Sequence, residues 1–490
     1  MEYSLSAMHT SRLTAALTAV VISLGAISLV AQSAIPTQGG RGQQGGRGEG
    51  QGGQGRGGGR GGGAPQPSNL PTSPVAAPLP TIYAEVTGPG QMFESLMALA
   101  PGDDMANWKY EAKEYFVSGT ANGQPYKTRI VIRKPSDNSK FSGLVLAESM
   151  HPSGNAWMFH FTHRYSMDAG HVALDILTST HQPFVEFNGA RYKDLQVGQG
   201  QAPEILAQVG ALIKSKQGPL AALPIRKMVL AGTSASAGVL INYLPAHMVL
   251  RLADMKPIYD GFLPTSNGAN IQRIDVPMIQ VPTMTEVAGG GSTTRQDGDD
   301  AGNQFRVYEF AGMAHIDSRD AVAYYPNPCR LPISRYPMAA YMSVALNHLW
   351  QWVDKGTVPP RADRMWVDRN VDNDQSLMAL DEHGNPRGGI RNPYVDVPAK
   401  KYGVRNEGAN PPITNAHPFV AVRGAAAQNQ LCGLAAYEID ISAAQLKKMY
   451  RDKRDYQTKV ARSYDEQVKR GWALPVYRQI VLDDAAKVTF

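Results

Sequence analysis

A serine within a run of small residues is the first position of this sequence that could do chemistry. Ser234 lies in GTSASAG (residues 232–238), directly after the apolar run 228–231. Small residues two positions before and after a serine allow a strand and a helix to meet in a strained turn that lifts the hydroxyl above a sheet. We therefore predict a nucleophile elbow at Ser234, although Ser236 stands where this pattern usually has glycine. A shifted register would make Ser236 the nucleophile instead.

A serine hydroxyl is a weak nucleophile near neutral pH unless an imidazole takes its proton and a carboxylate fixes the tautomer of that imidazole. Glu286 follows a short apolar run at 277–281, and His315 lies in a loop of small residues after the next apolar run, 305–310. Serine nucleophiles on doubly wound sheets have their partners in the chain order serine, acid, histidine. The order and spacing predict that Glu286 orients His315 and that His315 is the base for Ser234.

Such an attack creates a negative oxygen, which N–H groups near the serine would have to stabilise. Ala235 follows the serine at the predicted start of a helix, so its backbone N–H is one expected donor. The second donor in this arrangement comes from a loop after an earlier strand. The loop at residues 148–151 occupies that place. We expect the N–H of Met150 or of His151 to be this donor; a simple connecting loop is the alternative.

Three other groups of residues compete for a role. Asp260 is the rival acid, because its segment YDGFLP also resembles a loop at a strand end. The acidic stretch 297–302 begins like a calcium loop, but its twelfth position is Tyr308 where a bidentate glutamate is needed, so its aspartates are expected to be solvated. His160 and His163 share a helical face, but zinc needs at least a third ligand. The sequence therefore predicts no metal site, and the expected chemistry requires no cofactor.

Elements with the spacing of an alternating α/β fold surround these residues. Short apolar runs predict strands at 144–147, 171–177, 227–230, 277–281 and 305–310. Helical segments are predicted between and after them, at 156–170, 202–215, 241–255 and 339–356. Such alternation is typical of a mostly parallel central sheet flanked by helices on both faces. Two β-rich runs joined by Asn122-Gly123 predict a leading hairpin that adds antiparallel strands at one edge.

The first eighty residues have the composition of a targeting segment and a linker. A 19-residue uncharged apolar run (13–31) follows Arg12 and precedes small residues, which predicts a signal peptide over residues 1–33. The run is also long enough to anchor the chain in a membrane if it is not cleaved. Residues 34–80 are rich in Gly, Gln, Arg and Pro, which predicts a disordered linker. We therefore expect export to the periplasm or the extracellular space.

Composition excludes several classes of protein. The 490 residues include 43% hydrophobic side chains, which is enough for a core and excludes wholesale disorder. The net charge of +6 is modest, and no aromatics interleave the Arg-Gly linker, so nucleic-acid binding is not expected. Two cysteines, Cys329 and Cys432, are too few for a disulfide framework or a four-cysteine zinc site. The sequence leaves open whether they pair with each other or stay as buried thiols.

These motifs together resemble the secreted bacterial branch of the α/β-hydrolase superfamily. Its members carry G-x-S-x-S-G at the serine, an acid in a strand-end T-E-T-D motif, and G-x-x-H-x-D at the histidine; this chain has GTSASAG, TMTE and GMAHID. The resemblance extends from about residue 81 to the C-terminus and includes YDGFLP, LNHLWQWVDKGTVPP and the helical stretch at 441–475. The chain departs from the pattern at two positions, since Glu286 replaces Asp and an extra Ala237 precedes Gly238.

The resemblance implies one α/β-hydrolase domain over residues 81–490 with a C-terminal loop and helical extension. It also implies a serine hydrolase that cleaves a carboxylic ester or lactone of a small molecule through a Ser-His-Glu triad and an acyl-enzyme. The long excursion 366–419 is expected to fold over the site as a lid, because loops of this length in compact domains often do. Two alternatives stay open: a non-catalytic exported binding protein of hydrolase ancestry, and an acyltransferase with the same triad.

Overall fold

The computed structural model of this chain describes residues 70–490 except 101, 291, 317–318, 320–326, 369–377 and 411–417. The predicted signal peptide at 1–33 and most of the predicted linker lie outside the described residues. The end of that linker is structured, because Val75–Ala76 forms a short strand (β1) that pairs in parallel with Leu250–Arg251 (β8). Regular structure therefore begins before residue 81. Within the described ranges, no helix is both long and apolar enough to cross a membrane.

Nine strands form the central sheet, in the spatial order β11-β10-β9-β7-β5-β6-β4-β3-β2. They are β2 (Thr81–Glu85), β3 (Tyr110–Ala121), β4 (Gln124–Pro135), β5 (Leu144–Ser149), β6 (Val172–Ile176), β7 (Lys227–Thr233), β9 (Gly261–Thr265), β10 (Met278–Gln280) and β11 (Phe305–Val307). The six strands from β11 to β6 are parallel, whereas β4, β3 and β2 continue the sheet with antiparallel pairing. The predicted mostly parallel sheet with antiparallel strands at one edge is confirmed.

Helices connect and follow the strands. They are α1 (Trp157–Asp168), α2 (Gln182–Phe187), α3 (Gly189–Tyr192), α4 (Ala202–Lys214), α5 (Ala235–Val249), α6 (Met284–Ala288), α7 (Met338–Lys355), α8 (Pro393–Asp396), α9 (Pro418–Ala435), α10 (Ala443–Met449), α11 (Lys453–Lys469) and α12 (Arg478–Lys487). The expected glycine stop of α7 is present, since Gly356 has a φ of 68° and its N–H donates back to the last turn.

Both faces of the sheet are buried. In β5, Leu144 and Leu146 belong to an apolar cluster with α1 and α7, whereas Val145 and Ala147 belong to a second cluster with α4 and α5. This alternation follows from the two-residue period of a strand, and parallel strands covered on both sides read as continuous apolar runs. The helices α10, α11 and α12 contribute to the first cluster, so the C-terminal helical extension shares the core of the domain.

The segment YDGFLP differs from its sequence-based interpretation. It was expected to resemble a loop at a strand end, but its last four residues begin β9, which lies between β7 and β10 in the middle of the sheet. Pro264 lacks an N–H, yet its carbonyl accepts a hydrogen bond from the Val281 N–H at 3.0 Å. A small antiparallel pair was also not predicted: β12 (Lys400–Gly403), inside the 366–419 excursion, pairs with β13 (Tyr437–Asp440).

Candidate active site

Ser234 lies at the sharp turn between β7 and α5. Its φ and ψ of 53° and −117° form a combination that residues with a side chain rarely adopt. Its N–H donates to the Thr265 carbonyl of β9 at 3.0 Å, which holds the turn against the neighbouring strand. Gly232 lets the helix approach the strand, since a Cβ at this position would lie 2.5 Å from the Ser236 carbonyl oxygen. The local backbone therefore has the geometry of a nucleophile elbow.

Ser236 has a structural place in the same turn. Its side chain is fully buried, and its hydroxyl both accepts from the Thr233 N–H and donates to the Thr233 carbonyl, each at 2.9 Å. The hydroxyl therefore ties the end of β7 to the first turn of α5, with two bonds that a glycine at this position could not make. The structure gives no support to the shifted register in which Ser236 would be the nucleophile.

A chain of hydrogen bonds joins the three side chains that were predicted to act together. His315 Nε2 lies 2.9 Å from Ser234 Oγ, and His315 Nδ1 lies 2.6 Å from Glu286 Oε1. Because a carboxylate can only accept, Nδ1 carries the proton and Nε2 presents its lone pair to the serine hydroxyl. This is the tautomer that a general base needs. Ser234 and His315 are 81 positions apart in the chain and meet at the carboxyl edge of the parallel strands.

Glu286 is held in place by the start of its own helix. It is the third residue of α6, and its Oε2 accepts from the Thr283 N–H at 2.8 Å and from the Thr283 hydroxyl at 2.7 Å. This reciprocal arrangement is a capping box, which leaves Oε1 free to face His315. Burial opposes ionisation of Glu286, but the His315 imidazole and the hydrogen bonds from Thr283 outweigh it and lower its pKa. The carboxylate is therefore ionised where it contacts the imidazole.

The loop that carries His315 is fixed from two sides. The Ser266 hydroxyl, just after β9, donates to the His315 carbonyl at 3.3 Å. On the other side, Ile316 packs against an apolar cluster that contains Cys329 and Cys432. These two cysteines form a disulfide with a Cα–Cα distance of 5.5 Å, which settles the pairing that the sequence left open. The disulfide thus joins α9 to the segment after the histidine loop.

The rival acid Asp260 lies at the other end of the strands from the hydrogen-bonded chain of Ser234, His315 and Glu286. It precedes β9, and its carboxylate accepts from the Met228 N–H at 2.8 Å and pairs with Lys214 at 2.7 Å. Met228 begins the buried part of β7, whereas Ser234 follows its last residue. Asp260 therefore lies at the amino edge of the sheet, opposite to Ser234, and does not contact His315.

The remaining metal-ligand candidates are engaged with other side chains. Asp299, which was expected to be solvated, is exposed, and it also forms an ion pair with Arg361 at 2.6 Å and another with Arg306. His163 Nε2 lies 2.8 Å from the Asp103 carboxylate, and the His160 ring packs edge-on against Trp157. In the part of the chain that the structure describes, no group of three His, Cys, Asp or Glu residues is arranged to hold a metal ion.

The predicted oxyanion donors have different surroundings. Ala235 is the first residue of α5, so its N–H has no acceptor within the helix and faces the turn at Ser234. The N–H of Met150 donates to the Ile176 carbonyl at 2.8 Å, and the N–H of His151 donates to the Asn155 carbonyl at 3.0 Å. Neither of these two N–H groups is therefore free for an oxyanion, and the expectation for both is corrected.

Two residues that position the site were not singled out from the sequence. Thr283 holds Glu286, and Ser266 holds the backbone of His315. A signal for the first was present, because Thr283-Met-Thr-Glu286 has the spacing of a capping box at a helix start. For Ser266 no signal was present, since its segment was not recognised as the end of a strand.

Comparison with known proteins identifies the family. The chain belongs to the family described as alpha/beta hydrolase domain, whose model matches residues 75–483. The matched region contains Ser234, Glu286 and His315 and the whole nine-stranded sheet. No curated protein matches the chain.

Several solved structures are similar to part of the chain. A cold-adapted esterase from an Arctic intertidal metagenomic library is 13% identical, with a TM-score of 0.22, over 40% of this chain and 83% of its own. A dienelactone hydrolase from Anabaena variabilis is 10% identical, with a TM-score of 0.25, over 41% of this chain and 86% of its own. Brefeldin A esterase, a bacterial homologue of human hormone sensitive lipase, is 15% identical, with a TM-score of 0.23, over 35% of this chain and 43% of its own. Likeness at this level supports no conclusion about the substrate of this chain.

Proposed function

We propose that this protein is a serine hydrolase that cleaves a carboxylic ester or a lactone of a small molecule. The observation that carries the proposal is the continuous hydrogen-bonded chain from Glu286 through His315 to Ser234, with the serine on a strained turn. A Ser-His-acid chain of this kind exists to raise the nucleophilicity of the hydroxyl. Membership of the alpha/beta hydrolase domain family supports the same reaction class.

The proposed reaction has two halves. Ser234 Oγ attacks the carbonyl carbon while His315 Nε2 takes the hydroxyl proton, and the oxyanion that forms is stabilised by the Ala235 N–H. His315 then gives the proton to the leaving alcohol, and the C–O bond breaks to leave an acyl-enzyme on Ser234. Water attacks this ester with His315 as base, which releases the acid and restores the serine. Glu286 stays ionised throughout and stabilises the imidazolium.

A fluorophosphonate probe tests the proposal without knowledge of the substrate, because it phosphonylates only activated serines. We expect the wild-type protein to be labelled and Ser234→Ala to be unlabelled. Ser236→Ala is the matched control, since it removes a hydroxyl two residues away that is bonded to the backbone; it should still be labelled. A folded wild-type protein that stays unlabelled would instead favour the non-catalytic binding protein.

The excursion 366–419 is proposed to shape the substrate pocket. Its residue Ile390 pairs with the strand end before the histidine loop, with the Ile390 N–H donating to the Glu309 carbonyl at 2.7 Å. Asn392 donates to the Ala311 carbonyl, also at 2.7 Å. A chain-length series of p-nitrophenyl esters should therefore change its order when residues 366–388 are replaced by a short linker that keeps these contacts. An unchanged order would argue against a lid.

Export is also part of the proposal. The apolar leader followed by small residues supports it, and so does the Cys329–Cys432 disulfide, because structural disulfides persist in oxidising compartments. Cell fractionation and N-terminal sequencing of the mature protein test this directly. We expect a periplasmic or extracellular protein that begins near residue 34; an intact leader in the membrane fraction would show an anchor.

A further inference from the structure

Between residues 150 and 154, the loop that joins β5 to α1 has no backbone donor left for an oxyanion. Its N–H groups are all used between residues 150 and 154: Met150 donates to Ile176, His151 donates to Asn155, and Gly154 donates to the His151 carbonyl at 2.7 Å. Pro152 has no N–H, and the Ser153 N–H donates to the His151 ring. A second oxyanion donor from residues 150–154 therefore has to be a side chain.

The His151 side chain has the tautomer that such a donor needs. Its Nδ1 lies 3.2 Å from the Ser153 N–H and 2.9 Å from the Ser153 hydroxyl. A backbone N–H can only donate, so Nδ1 is the acceptor and the ring proton is on Nε2. Among the described residues no hydrogen-bond acceptor is bonded to Nε2. The residue as a whole is partly exposed.

The register of the sheet places His151 beside the elbow. Strands β5 and β7 are parallel neighbours, with Glu148 opposite Ala231. His151 is three residues beyond Glu148, and Ser234 is three residues beyond Ala231, so both lie just past the carboxyl ends of adjacent strands. The imidazoles of His151 and His315 are also close enough to interact electrostatically.

Both ends of this loop are anchored. The buried Glu148 carboxylate accepts from the Met158 and Phe159 N–H groups at 3.0 and 2.8 Å, which fixes the start of α1 to the end of β5. The Ala156 N–H donates to the Ser95 carbonyl at 2.8 Å. A donor on an anchored loop does not have to be reoriented when charge develops, and this preorganisation is what makes such donors effective.

We propose that the Nε2–H of His151 is the second oxyanion donor, so that the hole consists of one backbone N–H, from Ala235, and one side-chain N–H. This assignment rests on the proposed function, since it needs a tetrahedral oxyanion on Ser234. In the first half-reaction, His151 donates to the carbonyl oxygen as its C=O bond becomes a C–O⁻ single bond. His151 keeps its proton throughout: the proton that moves goes from Ser234 to His315, which then gives it to the leaving alcohol.

The environment of His151 keeps the ring neutral. Burial and the nearby His315 lower the pKa of His151 to about 4. At neutral pH the ring is therefore an uncharged donor, and it does not repel the positive charge that His315 acquires during the attack. Its lone pair on Nδ1 is occupied by Ser153, so it does not compete with His315 as a base.

The test compares His151→Leu with His151→Gln. Leucine fills the space without a donor, whereas the terminal amide nitrogen of glutamine reaches about as far as Nε2 and can donate. Removing one oxyanion donor typically lowers kcat by about 100- to 1,000-fold. We expect this loss in His151→Leu with little change in KM, and a rate at least tenfold higher in His151→Gln. The affinity of a trifluoromethyl ketone, which forms a tetrahedral anion on the serine, should fall in parallel.

Three results would overturn the assignment. One is a folded His151→Leu protein whose kcat stays within threefold of wild type. Another is an equal loss in both variants, because a purely structural role does not distinguish a donor from an isosteric apolar group. The third is a folded wild-type protein that neither hydrolyses esters nor reacts with the fluorophosphonate. This result would contradict the proposed function itself. The first two results would not, because in both of them the wild type is active. Thermal unfolding of both variants verifies that each is folded.

Discussion

The charge on Glu286 depends on groups that come from two parts of the chain. His315 contacts one carboxylate oxygen, and both donors of Thr283 contact the other. Hydrogen bonds to a carboxylate favour its ionised form, so each donor helps to offset the burial that would otherwise keep the acid protonated. The hydrogen bond that orients His315 therefore depends on the capping box between Thr283 and Glu286, which helps to keep this carboxylate ionised.

Thr283→Val should weaken catalysis through the pKa of Glu286. The change removes the hydroxyl donor and keeps the shape, so the pKa of Glu286 rises from its lowered position. Activity needs the ionised carboxylate, so it should be lost at a higher pH as the solution is acidified: the acid limb of the kcat profile moves upward. We expect kcat on this acid limb to fall about tenfold at a given pH, as for a loss of roughly 1.4 kcal/mol, with little change near neutral pH.

Thr285→Val is the matched control for this experiment. Thr285 is in the same helix, and its buried hydroxyl has no hydrogen-bond partner among the described residues. Its pH profile should therefore coincide with that of the wild type. Profiles that shift equally for the two variants would show that the helix, and not the hydroxyl, determines the state of Glu286.

At the level of the elements, the turn between β7 and α5 is tightly constrained. Gly232 and Gly238 flank Ser234 in sequence, but their surroundings are opposite. A Cβ on Gly232 would meet the backbone oxygen of Ser236 at 2.5 Å, whereas a Cβ on Gly238 would have no neighbour within 4 Å. Only the first glycine is required by the packing of helix against strand.

The two glycines therefore make a matched pair of alanine variants. Gly232→Ala should force strand and helix apart, lower the free energy of unfolding by about 2 kcal/mol, and abolish fluorophosphonate labelling. Gly238→Ala lies inside α5 and should keep the labelling while it stabilises the protein by about 0.5–1 kcal/mol. Urea unfolding with the labelling rate measures both effects. Comparable activity in the two variants would contradict a tight elbow.

The elements that the sequence revealed are those with a strong local pattern. Buried strands such as β5, β7 and β10 read as short apolar runs, and α4 and α7 have clear helical patterns and ends. The strand β9 was missed because it begins with Gly261 and contains Pro264, which in a sheet usually indicates an edge or a loop. Its central position depends on strands that come before and after it, and this long-range pairing leaves no local signal.

The same reason limits what could be predicted of the site. The types and order of Ser234, Glu286 and His315 are visible in the sequence, because each follows a recognisable strand. The use of each N–H in the 150–154 loop is not visible, since it depends on acceptors such as Ile176 that come from elsewhere. The prediction therefore named a backbone N–H of His151 that donates to the Asn155 carbonyl in the structure.

At the level of the whole molecule, one covalent link connects distant parts of the chain. The Cys329–Cys432 disulfide has a sequence separation of 103 residues and lies in a cluster that contacts Ile316. Cross-links across long loops restrict the unfolded chain most, and removing such a link typically costs about 2–5 kcal/mol. The disulfide should therefore affect both global stability and the position of the histidine loop.

Reduction should lower the urea midpoint of the wild-type protein and reduce kcat several-fold, because the support behind Ile316 loosens. The Cys329→Ser/Cys432→Ser double variant should have this lower urea midpoint even without reductant, and reductant should not change it. Denaturant curves and ester hydrolysis, each with and without dithiothreitol, measure this. If reductant leaves both properties of the wild type unchanged, the link is not needed for either.

The order of the site residues along the chain also determines when the site can exist. A polypeptide is made from its amino end, so the serine emerges first, the acid follows, and the imidazole comes last of the three. The thiol at 432 appears more than a hundred residues after the imidazole. Between the synthesis of residue 234 and that of residue 315, the growing chain therefore carries a serine without its proposed partners, and the proposed site can assemble only after the imidazole has been added.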